Sequence, residues 1–188
     1  MTEKGRNLGD VFAHQADSDR TAIIDLYDPQ EPREASFREL ISGCDAVSNG
    51  LLMAGVQPGE RIAILALNRL EYLEVLFGAM RAGCVPVMVN IKLPYDTLNY
   101  ILKDSGAKIA FVDAEFAPLC DGIDGLRVVT FGDGGSDRYE DFTIDGPYES
   151  YIPERGDIAE QPYTSGSTGR PKGVLLNHAG QCWMIDRL

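Results

Sequence analysis

Apolar residues along the chain follow two rhythms, one of period two or unbroken and one of period near 3.6. Leu8, Val11, Phe12 and Ala16 can line one face of a short opening helix. Thr21 to Tyr27 reads as a strand ended by Asp28-Pro29, with Glu34-Ala35-Ser36 pairing back as a second strand. Ser36 and Glu39 form a capping box, and Leu40, Ile41, Cys44, Val47 and Leu51 follow at helical spacing until Gly55. Gly43 and Gly50 each weaken that helix by about 1 kcal/mol against alanine, so it must rely on packing. Ile62 to Leu67 is uniformly apolar, as in a parallel strand covered on both faces. A second helix carries Leu70, Leu73, Phe77 and Met80, with Asn68 as its expected cap, Glu71 in the box position and Gly83 closing it. Val85 to Val89 is the next strand, where Pro86 marks a beginning or an unpaired backbone position. A third helix spans roughly Tyr95 to Ser105 and ends at Gly106; Ile109 to Val112 and Val128 to Phe131 are further strands.

Alternation of strand and helix predicts the α/β class, a doubly wound and mostly parallel sheet whose helical stripes are core. Residues 132–151 are acidic and glycine-rich. They lack the ligand alternation of a calcium-binding hand and read as a solvated surface loop. Asp157 to Tyr163 is polar for a strand and suggests a loosely paired or edge position. Val174-Leu175-Leu176 reads as a short strand, and His178 as the start of a helix.

The 188 residues suffice for one substantial domain, and 44% apolar content is that of a globular chain. Asp and Glu outnumber Lys and Arg 29 to 17, giving a net charge of −12, which disfavours nucleic acid and anionic membrane as partners. Cys44, Cys84, Cys120 and Cys182 lie far apart and read as buried or half-buried thiols of a reducing compartment. A polar start and the lack of a run of about 20 apolar residues predict a soluble, cytoplasmic protein without a membrane span.

The densest chemistry lies in Tyr163-Thr164-Ser165-Gly166-Ser167-Thr168-Gly169-Arg170-Pro171-Lys172-Gly173. Glycines open backbone N–H groups to a ligand, hydroxyls add donors, and an ammonium reaches phosphate oxygens. A P-loop would need glycine where Pro171 stands and a hydroxyl where Gly173 stands, and a dinucleotide fingerprint would need a leading Gly-x-Gly. Neither fits. A plain Ser/Gly linker has no need of the Lys172-Gly173 ending or of the apolar run after it.

Tyr163 to Gly173, continuing to His178, resembles the phosphate-binding signature of the adenylate-forming enzymes: acyl- and aryl-CoA synthetases, peptide-synthetase adenylation domains and firefly luciferase. Ser36 to Leu40 and Ala79 to Val87 resemble two further, structural elements of that family. The resemblance implies ATP-dependent activation of a small carboxylic acid to an acyl-adenylate, then transfer to the thiol of CoA. Thr164, Ser165, Ser167 and Thr168 would donate to β- and γ-phosphate oxygens, Gly166 and Gly169 would open the backbone, and Lys172 would offset charge on departing pyrophosphate. Arg170 is expected as a solvated neighbour, and His178 as a substrate-orienting group, a local cap or a surface group. Against the family pattern, residues 1–188 correspond to the N-terminal portion of the large adenylation domain. The acyl pocket, most Mg2+ ligands and the lid lysine belong to later elements, so the isolated piece is expected to be inactive and to self-associate. Alternatives are a peptide-synthetase-type adenylation domain and a non-catalytic nucleotide-binding or interaction module.

Overall fold

The computed structural model describes residues 5–132, 134–165 and 169–187. Two 3-10 turns, Leu8–Asp10 and Ala13–Gln15, stand where one opening helix was expected. Close packing explains the difference: a Cβ on Gly9 would lie 2.7 Å from the Phe77 carbonyl, and Asn7 rather than a longer helix satisfies the Gly9 N–H. Strands β1 (Thr21–Asp25) and β2 (Arg33–Ser36) pair antiparallel as a two-stranded ribbon. Helix α1 (Phe37–Met53) begins at the expected capping box. Ser36 Oγ accepts from the Glu39 N–H and Glu39 accepts from the Ser36 N–H.

Strand β3 (Arg61–Leu65) leads to helix α2 (Leu70–Arg81), strand β4 (Val85–Met88), helix α3 (Tyr95–Ser105) and strands β5 (Ile109–Asp113) and β6 (Arg127–Phe131). These strands form one parallel sheet in the order β4-β3-β5-β6. From β3 the chain steps first to β4 and then reverses past β3 to β5. Right-handed crossovers therefore put α2 and α3 on opposite faces. Successive β3 residues divide accordingly: Ile62 and Ile64 pack toward α1 and α2, Ala63 and Leu65 toward α3. The sheet is doubly wound.

Glycines let α1 and α2 approach closely. A Cβ on Gly78 would meet the Cys44 carbonyl at 2.7 Å, and one on Gly43 would overlap the Glu74 side chain. The expected Asn68 cap is not used. Arg69 holds the cap position of α2 without a side-chain bond, and Asp25 Oδ2, arriving from β1, accepts from the Leu70 N–H at 3.1 Å. Glu71 pairs instead with Arg33 and Arg69, and Arg69 bridges on to Asp113 at the end of β5. Burial pushes the Glu71 carboxyl up, but the two guanidiniums more than offset it and hold it at about 2. This network fills the crevice between the carboxyl ends of β3 and β5, where open α/β sheets commonly take ligands.

A 3-10 stretch, Ala114–Cys120, joins β5 to β6. The expected solvated loop beyond β6 needs correction. It contains a one-turn helix α4 (Tyr139–Phe142) whose Tyr139 and Phe142 are buried against Phe111 and Phe131. Tyr139 donates to Glu74 at 2.6 Å. Cys44, Cys84, Cys120 and Cys182 are buried free thiols, and burial pushes Cys84 and Cys120 up to about 12 and 11. Among the described residues no helix is long and apolar enough to cross a membrane.

Candidate functional site

The two flanks of the glycine- and hydroxyl-rich segment pair with each other as the arms of a long hairpin. Strand β7 (Ile158–Glu160) pairs antiparallel with β10 (Leu176–Asn177), and β8 (Tyr163–Thr164) with β9 (Lys172–Gly173). Leu176 opposite Glu160 and Gly173 opposite Tyr163 share one register, so the two pairs are one hairpin interrupted at Pro162. Pro162 has no N–H to give, but its carbonyl still accepts from the Val174 N–H at 2.8 Å. The expected strand Val174-Leu175-Leu176 is corrected accordingly: Val174 and Leu175 lie exposed in the interruption, and only Leu176 is in β10.

The hairpin leans on the outer edge of β4. Pro86 points its missing donor to that side, and its carbonyl accepts from the Gln161 N–H at 3.0 Å. Gln161 is buried. Its Oε1 accepts from Arg61 Nε at 3.2 Å, and its Nε2 donates to the Tyr163 hydroxyl at 3.2 Å. A Cβ on Gly173 would sit 2.5 Å from that Nε2, so a side chain opposite Tyr163 would displace the Gln161 amide. Tyr163 in turn donates to Asp104 Oδ2 at 2.7 Å, and burial together with this carboxylate pushes its phenol well above the ordinary tyrosine range.

Among the expected ligand residues, Thr164 and Lys172 face each other across the neck, both exposed. Ser165 is exposed next to Thr164. Gly169 has φ +89° and open space where a Cβ would go. Gly166, Ser167 and Thr168 lie outside the described residues. Arg170 is exposed, as expected, but its guanidinium stands 5.5 Å from the centre of the Tyr100 ring. The pattern did not single out Asp104, Tyr100, Gln161 or Arg61; the i, i+4 spacing of Tyr100 and Asp104, which puts them on one helix face, was the available signal.

Helix α5 (His178–Ile185) starts at the foot of the hairpin, capped by Asn177, whose side chain accepts from the Gly180 N–H at 2.7 Å. His178 is neither a cap nor a surface group. It is 1% exposed, and its Nδ1 accepts from the Leu8 N–H at 2.9 Å. Burial lowers its pKa and holds it neutral, with the proton on Nε2. It joins the hairpin foot to the first turn at Leu8.

Chemically, the neck offers hydroxyls, an ammonium and a guanidinium. That donor set suits an anion such as a polyphosphate. It does not suit Mg2+, which takes carboxylate and other oxygen ligands; the nearby carboxylate, Asp104, already accepts two phenol hydrogen bonds.

The AMP-binding enzyme family matches residues 11–188. Feruloyl-CoA synthase of Amycolatopsis sp is 36% identical over 148 residues, 79% of this chain and 29% of that protein. Tyrocidine synthase 1 of Brevibacillus parabrevis is 30% identical over 181 residues, 94% of this chain and 16% of that protein. The crystal structure of an anthranilate CoA ligase in complex with anthranoyl-AMP matches with a TM-score of 0.83 at 28% identity, covering 94% of this chain and 34% of that one. The chain thus spans a minor part of each relative's length. Sheet, hairpin and sequence agree along nearly all of its own length, and the chain belongs to the AMP-binding enzyme family.

Proposed function

We infer that residues 1–188 are the N-terminal portion of the large adenylation domain of an AMP-forming acid–CoA ligase. The observation that carries this reading is the hairpin neck. It sets Lys172 opposite Thr164 below a hydroxyl- and glycine-rich tip, in a chain whose relatives include feruloyl-CoA synthase and benzoate–CoA ligases. In the reaction, a carboxylate oxygen attacks the α-phosphorus of ATP, and the bond to the β-phosphate bridge oxygen breaks to release pyrophosphate. The CoA thiol then attacks the acyl carbon and AMP leaves. Thr164, Ser165, Ser167 and Thr168 donate to β- and γ-phosphate oxygens, with Gly166 and Gly169 giving backbone access. Lys172 stabilises the charge that builds on pyrophosphate, an electrostatic role that grows toward the transition state. Mg2+, when bound, screens the phosphate charge, and no residue of this chain is assigned to it.

The substrate class is a fatty or aromatic acid, and the compartment the cytoplasm. A peptide-synthetase adenylation domain is the second reading, favoured by the 94% of the chain that aligns with tyrocidine synthase 1. Pyrophosphate exchange by the full-length protein with a panel of fatty, aromatic and amino acids tests both. Exchange driven by fatty or aromatic acids, with product on CoA, supports the first. Exchange with amino acids and transfer to a carrier-protein thiol supports the second, and no exchange with any acid overturns both in favour of a non-catalytic module.

A further inference from the structure

We propose that Asp104 is a positioning residue for the phosphate hairpin, fixing the Tyr163 phenol directly and the Arg170 side chain through Tyr100. The inference rests on the phosphate-gripping reading above. Strands β8 and β9 have two residues each, too few to hold a hairpin end in water unaided, and Pro162 interrupts the ladder below them. The orientation of the end must therefore come from tertiary contacts. One is Tyr163, whose ring packs on the apolar cluster beneath α3 and whose hydroxyl donates to Asp104 Oδ2 at 2.7 Å. The other oxygen, Oδ1, accepts from Tyr100 at 3.1 Å, and the Tyr100 ring carries the Arg170 guanidinium. Two points of the segment on either side of the tip, residues 163 and 170, thus converge on one carboxylate. Asp104 also lies in the last turn of α3, where the helix dipole disfavours negative charge. A carboxylate there gains from fixed donors, and two phenols supply them. The plain alternative is a solvated helix-end carboxylate with incidental neighbours.

The test measures exchange kinetics in the full-length enzyme. Asp104→Ala and Tyr163→Phe are each expected to raise KM for ATP about tenfold, the size of one lost charge-assisted bond, while KM for the acid stays put. Because Asp104→Ala already removes the bond that Tyr163→Phe removes, along with the one from Tyr100, the double variant should be little worse than Asp104→Ala alone. Asp104→Asn, which keeps one acceptor oxygen, should fall between. Additive losses, an unchanged KM for ATP, or equal rises for ATP and acid would overturn the proposal. Lys172→Ala separates the two inferences. If it slows exchange strongly while Asp104→Ala leaves KM for ATP unchanged, only the positioning role fails; if Lys172→Ala leaves the exchange rate unchanged, the phosphate reading fails. In the 188-residue chain itself, the carbon-13 signals of the Tyr163 ring should move at neutral pH in Asp104→Asn. Unchanged ring signals count against the bond whatever the catalytic outcome.

Discussion

Lys172 stands exposed across the neck from Thr164, and Lys172→Ala is expected to lower the adenylation rate about 10²–10³-fold with little change in acid affinity. Pyrophosphate exchange checks this, and Lys172→Arg should recover it only in part, since a planar fork replaces a point charge. Glu74 poses a different residue-scale question. Burial among α1, α2 and α4 pushes its carboxyl up to about 7, while its bond from Tyr139 works the other way. A folded-state pKa above the unfolded 4.5 means the neutral form is favoured. Its contribution is complete below about 4.5 and is lost as pH rises through about 7. Glu74→Gln should therefore match the parent in urea unfolding near pH 5 and exceed it by about 1–3 kcal/mol at pH 8. A constant difference between the two proteins across that range would contradict this. Neither Glu74 nor His178 was legible as buried, because a titratable residue in a helical stripe reads as a polar face until its neighbours are known.

Elements that depend on their own neighbours in sequence were legible. The Ser36–Glu39 box, the stop at Gly106 and the apolar run of β3 are local, and each lies where the pattern put it. Elements that borrow from afar were not. Helix α2 takes its cap from Asp25, 45 residues upstream, and α4 is held by aromatic packing inside a stretch whose composition reads as loop. The hairpin neck was the candidate site the residues themselves suggested, but Asp104 reaches it from 59 residues away, and its spacing from Tyr100 says only that the two share a helix face. Packing also decides how the glycines behave. In Gly78→Ala the gain in helix propensity, about 1 kcal/mol, is opposed by contact at 2.7 Å with the Cys44 carbonyl and 2.9 Å with Val47 Cβ. We expect a net loss of about 1–3 kcal/mol by urea unfolding. Gly156→Ala, where nothing lies within 4 Å, should stay within about 0.5 kcal/mol.

At the scale of the whole molecule, α5 leaves apolar surface in water. Trp183 is 60% and Met184 51% exposed, with Arg187 stacked 4.5 Å from the Trp183 ring centre. Covering one such side chain is worth roughly 1.5–3 kcal/mol, and at physiological salt the repulsion from a net charge of −12 is screened beyond about 8 Å. The 188-residue chain in isolation is therefore expected to self-associate through this face. Light scattering should show a mass that grows with concentration, and Trp183→Glu with Met184→Lys should return it to a monomer. A monodisperse monomer in the unmodified chain at high concentration would contradict the expectation. The doubly wound sheet was legible as a whole because its strands are unbroken apolar runs. Its crevice was not, because the Arg69–Asp113 bridge that fills it joins two elements.

The shared register of the hairpin also says where the polypeptide can change length. Between Thr164 and Lys172 an added or lost residue alters only the turn, and the pairs Tyr163–Gly173 and Glu160–Leu176 stay matched. One residue added between Glu160 and Tyr163 would turn the phenol to the opposite side of the ribbon, away from α3 and Asp104. Insertions and deletions accumulated over descent should therefore be found at the tip and be purged from the arms.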